Sequence, residues 1–341
     1  MKKLLIIFFC SAVFAASATA CKSRVQHDNN IQDEASVSDN APSKSTDLPE
    51  ATDSDTDSNT ASHEDFDISD TASSQESSHE SPAPEIILPT DTLPLGEVFT
   101  IHILNAALED VSAETDLPFQ PRFFNHGEQL TAFLPISYYN SPGNYSLRIN
   151  IKDEAFDYTV CVSAANFEVQ HLTIDSAIVN STNTNEGNTE WETRIEPLKL
   201  ISDTESHWEG QFIQPVYGEI TTQFGMTRYT NGSSIPTIHS GIDIAAKQGS
   251  PIAAANNGRI LFADYLILTG NTVIIEHGFG LKSFYYHMDS LSVNEGQFVK
   301  KGDLVGTVGS TGYSTGPHLH YSLLVNDVFV NPWTAFEKGF E

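Results

Sequence analysis

Cations, cysteine and long apolar runs are all scarce in this sequence of 341 residues. Only 17 Lys and Arg side chains stand against 45 Asp and Glu, for a formal net charge of −28. No segment gathers the cluster of cations that would displace counterions from phosphates, so nucleic acid is excluded as a partner. Three cysteines, Cys10, Cys21 and Cys161, exclude a disulfide-stapled scaffold. Cys161 falls in the alternating run Tyr158-Thr-Val-Cys-Val162, which predicts a buried strand thiol without a partner. The longest apolar run, Leu4 to Ala16, is too short for a membrane-spanning helix, which needs about 20 residues.

That short run has a meaning of its own. It follows Met1-Lys-Lys and precedes small residues, the pattern of an export signal over residues 1–20. The stretch Ala18-Thr-Ala-Cys21 resembles the lipobox of bacterial lipoproteins, with Ala18 where Leu is usual. The resemblance implies lipidation of Cys21 and attachment to a bacterial membrane through an N-terminal lipid; plain signal cleavage is the alternative. The expected location is the cell envelope.

The acidic excess is uneven. Residues 22–91 hold 17 acidic and 3 basic side chains, residues 92–206 hold 17 and 5, and residues 207–341 hold 11 and 7. Residues 21–91 are Ser, Thr, Asp, Glu and Ala with scarcely an aromatic or long aliphatic side chain, and ordering them would bury too little to offset chain entropy. They are expected to form a disordered acidic linker that gives a tethered domain reach.

Residues 92–179 change to period-two segments, among them Phe99 to Ile103, Leu130 to Leu134, Tyr145 to Ile151 and Phe156 to Val162, with turn signals at Asn125-His-Gly127 and Ser141-Pro-Gly-Asn144. A small antiparallel β-sandwich is expected. Pro142-Gly143 followed by Tyr145 resembles the start of an immunoglobulin-like strand. His102, His126 and His171 have no partner at metal-ligand spacing and read as structural. Residues 180–206 are a polar linker with one short amphipathic helix expected from Trp191 to Ile201, interrupted by Pro197.

Seventeen of the 21 glycines lie between Gly210 and Gly339, a density that suits short strands and tight turns rather than helices. The whole chain is therefore expected to be all-β, ending in an antiparallel domain over 207–341. Its strands are predicted near 219–222, 241–245, 258–263, 272–277, 282–287, 304–308, 319–324 and 328–330. Within that frame stand His239-Ser-Gly-Ile-Asp243, Tyr285-Tyr-His287 and His318-Leu-His320. Residues two apart on a strand share a face, so His318 and His320 are able to enter one groove, and an i, i+4 pair such as His239 and Asp243 is able to converge. Two imidazoles and one carboxylate suit a catalytic zinc with an open fourth position, and the lack of cysteine disfavours a structural one.

The joint pattern is more specific. The run His239-Ser-Gly-Ile-Asp-Ile-Ala-Ala246, then Gly249-Ser-Pro-Ile-Ala-Ala-Ala255, His277-Gly278, Tyr285-Tyr-His-Met288, Val299-Lys-Lys-Gly302 and Ser310-Thr-Gly-Tyr-Ser-Thr-Gly-Pro-His-Leu-His320 resembles the lysostaphin-type M23 peptidases over about residues 210–333. The resemblance implies one Zn2+ held by His239, Asp243 and His320. It implies that His318 and His287 act on water and substrate, their individual roles left open, and that the substrate is a peptide bond of peptidoglycan. No HExxH glutamate is present to serve as base. His277 is expected to be structural, Tyr313 to line the cleft, and the stretch from Arg228 to Thr237 to form a mobile second wall. Tyr321-Ser322 stands where the family often has an aromatic residue followed by Glu. The alternative function is a non-catalytic, peptidoglycan-binding or hydrolase-activating lipoprotein, which would be expected to lack one of these five residues.

Overall fold

The computed structural model describes residues 82–89 and 92–340. The signal segment, Cys21 and most of the expected acidic linker lie outside the described residues; Glu85–Ile87, expected within that linker, is instead a strand paired with Val98–Leu104. Two four-stranded sheets come first. One orders Glu85–Ile87, Val98–Leu104, Gln129–Pro135 and Phe123–His126; the other orders Leu93–Pro94, Glu154–Ser163, Gly143–Ile151 and Val111–Thr115. Their inward residues, including Ile101, Ile103, Leu134, Ile149 and Val160, share one core. Every pairing in these sheets is antiparallel except Leu93–Pro94 against Glu154–Ser163.

Cys161 departs from expectation. Val160 and Val162 are the buried residues of that strand, so the two-residue period turns Cys161 to the opposite face, where it is half-buried and disulfide-bonded.

The polar stretch that follows is more helical than its composition suggests, and this makes the chain predominantly β rather than all-β. Helices span Ser176–Thr182, Asn185–Arg194 and Glu196–Lys199. Asp175 and Thr184 cap the first two through Ala177 N–H and Gly187 N–H. Pro197 lies in the first turn of the third, where its missing N–H costs nothing, and so it starts a helix rather than interrupting one. These helices are fixed by tertiary contacts. Ile195 is fully buried with Phe262, Leu266, Ile274 and Phe284, and Arg194 pairs with Asp264 at 2.5 Å. No helix among the described residues is long and apolar enough to cross a membrane.

The C-terminal region is a ten-stranded antiparallel sheet. Its main path runs Glu219–Thr222, Ile242–Ala245, His318–Val325, Leu281–Leu291, Gly270–Gly278, Gly258–Leu266 and Phe298–Val299. All eight expected strands are present, several of them longer than expected. Short strands at Thr227–Thr230, Thr237–Ile238, Pro251–Ala253 and Phe298–Val299 are additional.

Sandwich and sheet are not separate bodies: both belong to one compact unit. Phe124 of the first sheet stacks on Phe279 at 4.6 Å between centroids. Phe133 meets Trp208 and Phe340. Around this aromatic seam Asn331 N–H donates to Gly96 O, and Thr334 Oγ1 donates to Glu97 Oε2.

Candidate metal centre and its cleft

Sheet register brings the donors together. Asp243 pairs across from His320, and Ala245 across from His318. His318 and His320, two apart, therefore lie on the face that Asp243 also presents. His239 arrives from the turn before Ile242–Ala245, its backbone fixed by Gly225 N–H to His239 O and His239 N–H to Met226 O. Gly241 makes that turn possible: a Cβ there would come within 2.2 Å of Tyr321 O. His287 sits in Leu281–Leu291 with φ of 61°, the left-handed region uncommon for a side-chain-bearing residue. The strand is irregular there, between Met288 and Ser290, and the ring enters the cleft.

The three donor atoms lie within 4.8 Å of one another. Asp243 Oδ1 is 2.9 Å from His239 Nε2 and 2.8 Å from His320 Nδ1, and the two nitrogens are 2.9 Å apart. Each donor is oriented from behind. His239 donates Nδ1–H to Gln223 O at 2.9 Å, so Nε2 presents a lone pair. His320 Nε2 is 2.8 Å from Ser322 Oγ, and donation to that hydroxyl leaves Nδ1 facing the carboxylate. Arg228 Nη2 donates to Asp243 Oδ2 at 2.6 Å and leaves Oδ1 for the centre. Two imidazole lone pairs and a carboxylate oxygen aimed at one point repel each other unless a cation lies between them. The N, N, O set with its orienting partners fits one zinc ion.

The titration behaviour agrees with that donor set. Burial acts to raise the pKa of Asp243, but the close approach of the His239 and His320 side chains outweighs it and holds the carboxyl well below its ordinary value. Burial pushes His320 down to about 4. Burial, with His318 and His320 adding to it, pushes His287 down to about 3. Both imidazoles are neutral near pH 7.

His287 and His318 flank the centre with their rings 4.8 Å apart. His287 donates Nδ1–H to Thr311 O at 2.8 Å, and His318 donates Nδ1–H to Gly316 O at 2.8 Å. Each is left with a free Nε2, that of His318 lying 3.8 Å from Asp243 Oδ1. The site opens into a cleft of about 1340 Å³ whose walls include Tyr313, Ile235, Thr237 and, from the helical segment, Trp191.

All five candidate side chains thus meet at one place. His277 does not: it is fully buried, held by Asn257 O and Ser283 Oγ. His102 bonds Thr131 Oγ1 and His171 stacks on Tyr229, both structural contacts. Sequence reasoning missed the support given by Gln223 O and Ser322 and the grip of Arg228 on Asp243. Ser322 was within reach of that reasoning, being two residues beyond His320 on the same strand face. Arg228 was not, because its contact depends on long-range strand pairing.

Comparison with known proteins agrees with this geometry. Residues 237–332 match peptidase family M23. The DD-carboxypeptidase/endopeptidase Mpg of Neisseria meningitidis serogroup B is 43% identical over 123 residues, which are 35% of this chain and 28% of that protein. The peptidoglycan DD-endopeptidase ShyB of Vibrio cholerae is 34% identical over 117 residues, 34% of this chain and 27% of that protein. The matched stretch is under a third of either relative's length. A solved Pseudomonas aeruginosa structure carrying the peptidase M23 designation superposes with a TM-score of 0.51 at 22% identity, over 72% of this chain and 95% of that one, a likeness of fold. Residues 237–332, the stretch that matches peptidase family M23, enclose His239, Asp243, His287, His318 and His320.

Proposed function

We propose that the protein is a zinc-dependent endopeptidase that hydrolyses peptide bonds in peptidoglycan cross-links or stem peptides. The observation that carries this reading is the convergence of His239 Nε2, Asp243 Oδ1 and His320 Nδ1 beside two imidazoles with free Nε2 atoms. Zinc held by those three donors supplies Lewis-acid chemistry, polarising a carbonyl and acidifying a water molecule. The protein's own part is proton transfer and positioning. His287 or His318 accepts the proton of the attacking water at Nε2 and returns it to the leaving amine as the C–N bond breaks. The carbonyl oxygens of Thr311 and Gly316 fix each ring's tautomer, so that Nε2 is the basic atom.

The substrate class rests on the relatives, whose names specify DD-carboxypeptidase, endopeptidase and peptidoglycan DD-endopeptidase activity. A binding-only role is disfavoured because none of the five site residues is replaced. We read residues 92–179, together with the strand Glu85–Ile87, as an immunoglobulin-like module, residues 21–81 as an acidic tether, and Cys21 as the site of a lipid anchor in the cell envelope. The anchor requires that Cys21 not be the disulfide partner of Cys161, a point that mass analysis of the N-terminal peptide decides. The activity is tested by digesting purified peptidoglycan with and without a chelator and weighing the muropeptides. New peptide termini that vanish with chelation support the proposal, and none under zinc-replete conditions would sink it.

A further inference from the structure

The metal ligand Asp243 is gripped from outside the family-matching segment. Arg228 lies before that segment, on Thr227–Thr230, and its Nη2 reaches both Asp243 Oδ2 at 2.6 Å and Thr222 Oγ1 at 2.8 Å. Its Nε donates to Gln170 Oε1 at 3.1 Å. Gln170 belongs to Val169–Leu172, which follows the last strand of the sandwich and forms a separate three-stranded sheet with Thr227–Thr230 and Thr237–Ile238. Val169–Leu172 pairs in parallel with Thr227–Thr230, with Arg228 directly opposite Gln170. The pairing is clamped at both ends, by Thr227 N–H to Glu168 O and Asn231 N–H to Leu172 O. It is clamped again by the Asn231 side chain, which bonds both Ile174 N–H and Ile174 O. Phe167 lies over Gly225, where a Cβ would come within 2.2 Å of its ring. The backbone that carries Arg228 has little freedom relative to Val169–Leu172.

We infer that Arg228, held by Gln170, is a positioning residue for Asp243, and that the strand following the sandwich thereby sets the metal affinity of the peptidase domain. A guanidinium held at Nε by Gln170 and at Nη2 by Thr222 donates one charge-assisted hydrogen bond to Oδ2 from a fixed position, and so limits rotation of the carboxylate. With Oδ2 taken, Oδ1 faces His239 and His320, which is the arrangement a single-oxygen ligand requires. Orienting groups behind metal ligands are commonly worth about 10–100-fold in metal affinity. The inference rests on the zinc-site reading above, and its test separates the two.

The test is zinc competition against a chromophoric chelator, on the full chain, for Arg228→Met, Arg228→Lys, Gln170→Leu and Asp243→Asn. Thermal unfolding of each metal-free variant runs alongside. Arg228→Met is expected to raise the zinc Kd about 10–100-fold. Arg228→Lys, which keeps charge but not the guanidinium, recovers part of the loss, and Gln170→Leu shifts Kd in the same direction by a smaller factor. A merely structural role would lower the metal-free Tm and leave Kd unmoved. If Asp243→Asn loses zinc while the other three bind it as the wild type does, the inference is overturned and the metal site stands. If Asp243→Asn binds zinc normally, the metal-site reading itself fails. Should Arg228→Met not fold, Arg228→Lys and Gln170→Leu decide, and wild-type Kd values for both overturn the inference.

Discussion

His277, which lies outside the metal centre, makes the fold sensitive to acid. Its ring is fully buried, with Nδ1 2.6 Å from Asn257 O and Nε2 2.8 Å from Ser283 Oγ. A neutral imidazole satisfies both contacts, donating from Nδ1 and accepting at Nε2. Burial opposes the charged form and pushes the pKa from 6.5 down to about 3. In the unfolded chain the ring takes up a proton below about pH 6.5, whereas the folded protein refuses it until about pH 3. The unfolded state then binds more protons, so stability falls as pH drops through that window. At about 1.4 kcal/mol per pH unit, the full window is worth about 5 kcal/mol, and the fall from pH 6.5 to 5 about 2 kcal/mol. Urea unfolding of the chelated protein from pH 7.5 to 4.5 measures this against His277→Asn, whose amide is able to donate to Asn257 O but does not titrate. His287 and His320 contribute to both proteins alike, so the difference in slope isolates His277. Equal slopes between pH 6.5 and 5 would refute the reasoning.

Three further outcomes are expected. His320→Ala loses both bound zinc and hydrolysis, whereas His318→Ala, which removes no donor of the triad, keeps most of its zinc and loses turnover; normal turnover in His318→Ala would remove that residue from proton transfer. Ser322→Ala folds but binds zinc about 10-fold more weakly, because His320 Nε2 loses its partner, and metal analysis after dialysis reads this directly. Lys282 and Glu276 are both fully buried and 3.1 Å apart, so Lys282→Met strands a buried carboxylate and costs about 3–5 kcal/mol in urea unfolding, a loss that Lys282→Met combined with Glu276→Gln recovers in large part.

The parts of the structure that could be read from the sequence are those whose cause is local. His239 and Asp243 are four apart and His318 and His320 two apart, so turn and strand geometry bring each pair to one face, and the register of Ile242–Ala245 against His318–Val325 joins the two pairs. The strands Glu219–Thr222, Leu304–Val308 and Val328–Val330 fall where alternation and glycine turns place them. What escaped depends on distant residues. Thr227–Thr230 is a strand because Val169–Leu172 lies beside it, and no pattern within either segment announces a parallel partner. The helices from Ser176 to Lys199 are polar and short of apolar periodicity, and they are held by Ile195 in a pocket built from Phe262 and Phe284. Cys161 was given the wrong face because an alternating run of apolar residues does not say which phase faces the core.

The same division explains how the site is built. The metal donors come from the segment that matches the family, but their outer supports come from both sides of its boundary. Ser322 behind His320 and Thr311 behind His287 lie within it, while Gln223 behind His239 and Arg228 behind Asp243 lie before it. The seam of Phe124, Phe133, Trp208 and Phe279 joins the sandwich to the sheet that carries the donors. A catalytic constellation is only as well placed as the groups that lock its rotamers. The sandwich here therefore shares the core of the sheet that carries the donors, and the strand that follows it reaches Asp243 through two hydrogen bonds, between Gln170 and Arg228 and between Arg228 and Asp243.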